Sequence, residues 1–246
     1  MKIALHFHPD WPFGDGTVLE AIARDGVYRS QFETGTSNGG LTAVPGGDRW
    51  RWESRLFDGR YDDLPATERP KYGALHRADP YGPATRFGSA HLRLRPEVTG
   101  RATFCFPDSV FEPTAIGGPD LIPELIALAD ASDHDLLDHY VEAHVHGEVV
   151  VVDDVEAVVL DPCFEGGPIE DAARRLGCAV EWHPGFRVEA ANLDPDYRGP
   201  EFVELARSLG RVLVPATLGD AARTGDHDPQ SLKRVWHLLA RFGRRG

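Results

Sequence analysis

The sequence predicts an α+β protein with mostly antiparallel sheets, flanking helices and a C-terminal α/β extension. Several short segments alternate apolar and polar residues, as strands with one buried face do. The 19 prolines and 26 glycines break the chain into short elements and argue against a helical bundle. The stretch VEAVVLDPCFEGGPIEDAARRLGCAVEWHPG reads as strand, loop, helix and strand, a βαβ unit. A change of character near Gly166–Pro168 separates an expected core, residues 1–165, from a helix-rich extension, residues 166–246. That extension either stands apart or packs as one domain with the core.

Taken in order, KIALHFH alternates, with Ile3, Leu5 and Phe7 on one face and His6 and His8 on the other; Pro9 ends the strand. GTVLEAIARDG is a helix: Thr17 caps it, Val18, Leu19 and Ile22 form its stripe, and Gly26 stops it. VYRSQFET reads as a second strand, and GTSNGGLTAVPGGD as a long turn-rich loop. RWRWESRLF is a short helix with Trp50 and Trp52 partly buried. Residues 58–85, rich in Pro, Asp and Arg, are expected to be irregular. RFGSAHLRLRPEV and RATFCFPDS are strands, and residues 119–139 carry helices. YVEAHVHG and EAVVLDP are strands, and PEFVELARSLG and DPQSLKRVWHLLARFG close the chain as helices. In YVEAHVHG, alternation sends Val141, Ala143 and Val145 into the core and puts Glu142, His144 and His146 on the opposite face.

The formal net charge of −13 disfavours broad binding to a phosphate backbone and leaves room for a local basic pocket. Cys105, Cys163 and Cys178 form no CxxC pair, which argues against a disulfide framework or a Cys-rich zinc site. MKIALHFHPDW lacks the long apolar run of a signal peptide, and no segment approaches a membrane span. A cytoplasmic enzyme is the expectation.

Three stretches carry candidate chemistry. LHFHPD places His6 and His8 on one strand face. DGVYRSQFETGTSNGG gathers Arg29, a fork for phosphate or carboxylate, with Tyr28 and Phe32, which suit stacking on a ring, and Gly35, Gly39 and Gly40 for close backbone approach. No GxxxxGK[ST] and no GxGxxG after a strand occurs, so neither a P-loop nor a Rossmann site is indicated. SDHDLLDHYVEAHVHGE is rich in metal-type ligands without a spacing of known geometry.

The succession LHFHPD, VLEAIARDGVYRSQFETGTSNGGLTAVPGGDR, RPKYGAL, RFGSAHLRLRPE, VEAHVHG and WHPGF resembles a bacterial family known as domain of unknown function 3626, over nearly the whole chain. More distantly, the histidine strand, the helix ending in DG before a polar strand, and VEAHVHGEVVVVDDVEAVVL resemble the ADP-ribosyltransferase superfamily. That resemblance implies a split, mostly antiparallel sheet fold and NAD as the substrate whose ADP-ribose is passed to an acceptor. The acceptor stays open between protein, nucleic acid and small molecule, and water would make the enzyme a glycohydrolase. Carried over by position, His6 or His8 takes the first-strand role and Glu142 the late catalytic glutamate. The middle position falls among Tyr28, Ser30, Thr36, Ser37 and Tyr72, while Arg29 or Arg86 is placed to pair with the pyrophosphate. Tyr28, Phe32 or Tyr72 is expected to stack on nicotinamide. The reading assigns no metal and needs the first strand and the Glu142 strand side by side.

Two alternatives stand beside it: a metal-dependent hydrolase using His6, His8, Glu142, His144 and His146 on facing strands, and a non-catalytic binding module.

Overall fold

The computed structural model describes residues 1–35 and 42–244; Thr36, Ser37, Gly39 and Gly40 lie outside the described residues. Eight strands form the central sheet: β1 (Lys2–Phe7), β2 (Lys71–His76), β3 (Ala90–Leu94), β4 (Ala102–Cys105), β5 (Ile116–Gly117), β6 (Glu142–Val145), β7 (Val155–Leu160) and β8 (Ala179–Trp182). The helices that concern the site and its support are α1 (Val18–Asp25), α2 (Gln31–Thr34), α3 (Asp48–Leu56), α4 (Ile122–Asp130), α5 (Pro168–Arg174), α6 (Pro200–Leu209), α7 (Pro215–Thr224) and α8 (Pro229–Phe242). The strand order is β8-β7-β3-β1-β2-β6-β4-β5. All pairings within the sheet are antiparallel except β7 with β8, which is parallel and connected through α5. The βαβ reading and the mostly antiparallel α+β class both hold.

The two faces of the sheet differ. Cross-strand partners share a face, and the register pairs Ile3 with Leu75, Leu5 with Leu92, and Phe104 with Ala143. These residues are buried in one cluster with Leu19 and Ile22 of α1, Ile122 and Leu125 of α4, and Ile169 and Ala172 of α5. Each large apolar side chain taken out of water there contributes roughly 1.5–3 kcal/mol. On the opposite face, His6 pairs with His91, Tyr72 with His144, His144 with Thr103, and Glu142 with Cys105. Val141, Ala143 and Val145 enter the apolar cluster, as the alternation of YVEAHVHG requires.

The first helix follows its sequence signals. Thr17 and Glu20 form a reciprocal capping box, and Gly26 closes α1 at φ 70°, where a side chain would be strained. A second apolar cluster gathers Phe186, Val203, Leu213, Leu218, Val235, Trp236 and Leu239, joined by Tyr81 and Leu137 from earlier in the chain. The Trp236 indole donates to the Thr85 carbonyl at 2.9 Å, tying α8 back to the sheet side. Ile169, Ala172 and Ala173 of α5, beyond position 166, belong to the first cluster.

Three expectations need correction, and one helix lies outside them. VYRSQFET is a strand only at Val27–Tyr28, where it pairs with Val149–Val150. Ser30 then caps α2: its Oγ accepts from the Glu33 amide at 3.2 Å, while the Glu33 carboxylate accepts from the Ser30 amide at 2.7 Å. Residues 58–85 are not wholly irregular, because they contain β2. The first strand and the Glu142 strand are not side by side: β2 lies between them, with Ala74 opposite both Ala4 and Glu142. Finally, α7 was not anticipated, although Pro215 at its start and Gly225 after its end (φ 74°) are ordinary boundary signals. Among the described residues, no helix is long and apolar enough to cross a membrane.

Candidate active site

A cleft of about 700 Å³ opens where β1 runs out and β2 begins. It is lined by His6, His8, Tyr28, Arg29, Ser30, Tyr72, Arg86 and Glu142, eight of the residues singled out from sequence. Phe32 does not line it; its ring packs against the Arg69 guanidinium at 4.0 Å. Thr36 and Ser37 fall outside the described residues.

Glu142 is buried on the wall, only 5% exposed. Its Oε2 accepts from both the Ser109 amide and the Ser109 hydroxyl, each at 2.6 Å. Its Oε1 lies 3.3 Å from His144 Nε2. The other nitrogen of His144, Nδ1, sits 3.1 Å from Thr103 Oγ1, which orients the ring. Burial opposes ionisation of Glu142, but the contacts from His144 and Ser109 outweigh it and hold the carboxyl below its ordinary value. The neighbouring Asp108 goes the other way: burial, then the charge of Glu142, push it up to about 6. Asp108 also accepts from the Tyr140 hydroxyl and caps the short turn Ser109–Phe111. Two carboxyls on one wall are thus shifted in opposite directions.

Beside them stands an aromatic and cationic wall. Helix α3 places Arg49 and Trp52 on one side, and β2 supplies Tyr72. The Arg49 guanidinium lies over the Trp52 ring at 4.6 Å and the Tyr72 ring at 4.9 Å, within cation–π range. The Trp52 indole donates to the Ser109 carbonyl at 3.4 Å, so the wall and the turn that holds Glu142 are linked. Beneath α3, Arg69 donates to Glu53 at 2.9 Å, and both side chains are buried.

The other candidates are partly committed to structure. His6 Nδ1 lies 3.2 Å from the Gly88 carbonyl, and its Nε2 accepts from the Ala84 amide at 3.4 Å. His8 stacks on Trp11 with ring centroids 4.3 Å apart. Burial first, then neighbouring positive groups, pushes the His8 ring down to about 3. Burial likewise pushes the Tyr28 phenol up to about 12, and its hydroxyl donates to the His6 carbonyl at 3.4 Å. Arg29 pairs with Asp25, and Arg86 with Asp138. The Ser30 hydroxyl donates to the Ala66 carbonyl at 2.7 Å while capping α2. His144 is fully buried behind Glu142, and His146 bonds to the Tyr61 hydroxyl away from the cleft.

The five residues of the metal-hydrolase alternative are not gathered. Among the described residues, the metal-type ligand atoms that converge belong to Cys105, Glu142 and His144, all within 4.8 Å of one another.

Sequence reading did not single out Asp108, Ser109, Arg49, Trp11 or Lys233 as lining residues. Asp108 carried one signal, since Asp is a common cap of a short turn. The others are brought in by packing alone.

None of the curated proteins matches the chain. Among solved structures, Thermus sp. 2.9 DarT in complex with NAD+ is similar at a TM-score of 0.45 and 11% identity, covering 74% of this chain and 94% of that chain. The same protein in complex with carba-NAD+ gives a TM-score of 0.46 at 11% identity, with 74% and 94% covered. In complex with ADP-ribosylated ssDNA it gives 0.44 at 11% identity, with 74% and 93% covered. The profile of a family described as protein of unknown function (DUF3626) matches residues 2–130 and 120–242. Together the two matches span nearly the whole chain, which therefore belongs to the DUF3626 family.

Proposed function

We propose that this protein is an NAD-dependent ADP-ribosyltransferase, or an NAD glycohydrolase when water is the acceptor. The observation that carries the proposal is Glu142: a carboxylate held in its charged form by Ser109 and His144, on the wall of a cleft large enough for a dinucleotide. Breaking the bond between ribose C1′ and the nicotinamide nitrogen sends the electron pair out with nicotinamide and leaves positive charge on the ribose, as in glycoside cleavage. A fixed carboxylate stabilises that charge without reorganising, and its hydrogen-bond partners keep it in place. The acceptor oxygen or nitrogen then bonds to C1′ and releases its proton. The stacked Arg49, Trp52 and Tyr72 wall suits a flat ring beside Glu142. With both ring nitrogens of His6 facing backbone groups, His8 is the better candidate for contact with substrate from the first strand.

The test is to incubate the protein with NAD labelled in the adenosine moiety and follow nicotinamide release and label transfer to cell extract, beside Glu142→Gln. Wild-type protein is expected to release nicotinamide and the variant to lose that activity. Folded wild-type protein that does neither would overturn the proposal.

A second reading rests on Cys105, Glu142 and His144. A thiolate, an imidazole and a carboxylate suit zinc, with Thr103 orienting the histidine from behind. Zinc at about one equivalent in protein purified without added metal, and absent from Cys105→Ser, would favour it. Metal-free folded protein would end it.

A further inference from the structure

At the end of the cleft formed by the C-terminal helix, a side chamber of about 100 Å³ is lined by His8, Arg86, Gln230, Lys233, Arg234 and His237, together with Phe87. Five of these residues (His8, Arg86, Phe87, Gln230 and Lys233) also line the main cleft, so the chamber is its annex. Gln230, Lys233, Arg234 and His237 stand three, four and seven positions apart, on one face of α8. The apolar residues Val235, Trp236 and Leu239 of that helix join the second core cluster, while Leu232 lines the main cleft. The chain carries a formal net charge of −13, yet three cationic side chains meet here and no carboxylate is in the lining. Asp138 pairs with Arg86 from outside the lining. His8 and His237 are each only 8% exposed. His237 Nδ1 is buried without a hydrogen-bond partner, an unfavourable state that a ligand would relieve.

We propose that this annex binds a phosphoryl group. Donors converge from two directions: Arg86 and His8 from the sheet side, and Lys233, Arg234 and His237 from α8. A tetrahedral anion with several oxygens uses such a set, whereas a carboxylate is satisfied by one arginine fork. The small volume of the annex and the acidic remainder of the chain disfavour a duplex backbone, which needs a broad basic surface. The inference deepens the NAD reading and rests on it in one respect, namely that the phosphoryl group belongs to the dinucleotide donor. A phosphorylated acceptor is the other source of the same chemistry. Either way, the C-terminal helix becomes part of the substrate site.

The experiment is calorimetric titration of the full chain with inorganic pyrophosphate, for wild type, Arg234→Gln and Lys233→Gln. Wild type should bind saturably and each variant about 10-fold more weakly, a loss of about 1.4 kcal/mol. Arg234 is exposed, so its variant should fold even where Lys233→Gln does not. The Michaelis constant for NAD in Arg234→Gln separates the sources: a rise of about 10-fold assigns the group to the donor, and an unchanged value assigns it to the acceptor. Pyrophosphate binding by a wild-type protein that never releases nicotinamide would keep the subsite and remove the NAD reading. No saturable binding by wild type, or equal binding by a folded Arg234→Gln, would overturn the subsite.

Discussion

The two faces of the central sheet share the same strands, yet they are built from different chemistry. One face presents Ile3, Leu5, Leu75, Leu92 and Phe104 to the helices. The other presents His6, His91, Tyr72, Thr103, Glu142 and His144. Burying apolar area accounts for the first face. Buried hydrogen bonds add only about 0.5–1.5 kcal/mol each over solvated groups, and unpaired ones are costly, so stability does not account for the second. The polar face is what a fold carries when it must hold ionisable groups in fixed positions.

The largest expected effect separates the faces by stability. Phe104→Ala should lower unfolding free energy by about 3–5 kcal/mol, measured by denaturant titration. A loss under about 1 kcal/mol would mean that the apolar face is not the load-carrying side. Next, Glu142→Gln should cut nicotinamide release by about 10²–10³-fold, as removal of a fixed electrostatic group does, while the denaturation midpoint moves far less than for Phe104→Ala.

Third, the polar face should make stability depend on pH. Burial pushes His6 and His8 each down to about 3 from an ordinary 6.5, so their neutral rings contribute stability that is full above pH 6.5 and lost as pH falls toward 3. Asp108 has the opposite sign: pushed up to about 6, it contributes below its ordinary 3.8 and loses that contribution as pH rises through 6. Asp10, pushed up to about 7 by burial, sides with Asp108, but His146 and His237, pushed down to about 4 and about 2, side with His6 and His8, so stability should fall on acidification below pH 6.5. Unfolding midpoints that stay flat between about pH 4 and 7 would contradict this. The smallest effect is Thr103→Val, which keeps the shape and removes the contacts to His144 and His146 at 3.1 and 3.0 Å. It should cost about 0.5–1.5 kcal/mol, with a several-fold fall in turnover if His144 orients Glu142, read by unfolding and steady-state kinetics together.

The split between faces was legible in the sequence because alternation is a local property. KIALHFH and YVEAHVHG each declare which residues turn inward and which share the other side. What could not be read was the neighbour of each strand. KYGALH sits between Pro70 and a run of Arg, Asp and Pro, and its Lys71 and Tyr72 disguise a central strand. Lys71 is tolerated there because its ammonium donates to the Thr67 carbonyl at 2.6 Å, a contact no local pattern announces. The helix at Gln31–Thr34 was readable: Ser30 and Glu33 stand at capping-box spacing, and Val27–Tyr28 merely precede them. Ser109 was not, since its grip on Glu142 joins residues 33 positions apart.

The buried pair of Glu53 and Arg69 has a consequence for recognition. Neither charge can leave its partner without being stranded out of water, at a cost of about 3–5 kcal/mol, so the segment carrying Trp52 is pinned before any ligand arrives. A ring entering between that segment and Glu142 meets a wall already in place, and association forfeits little conformational freedom in forming it.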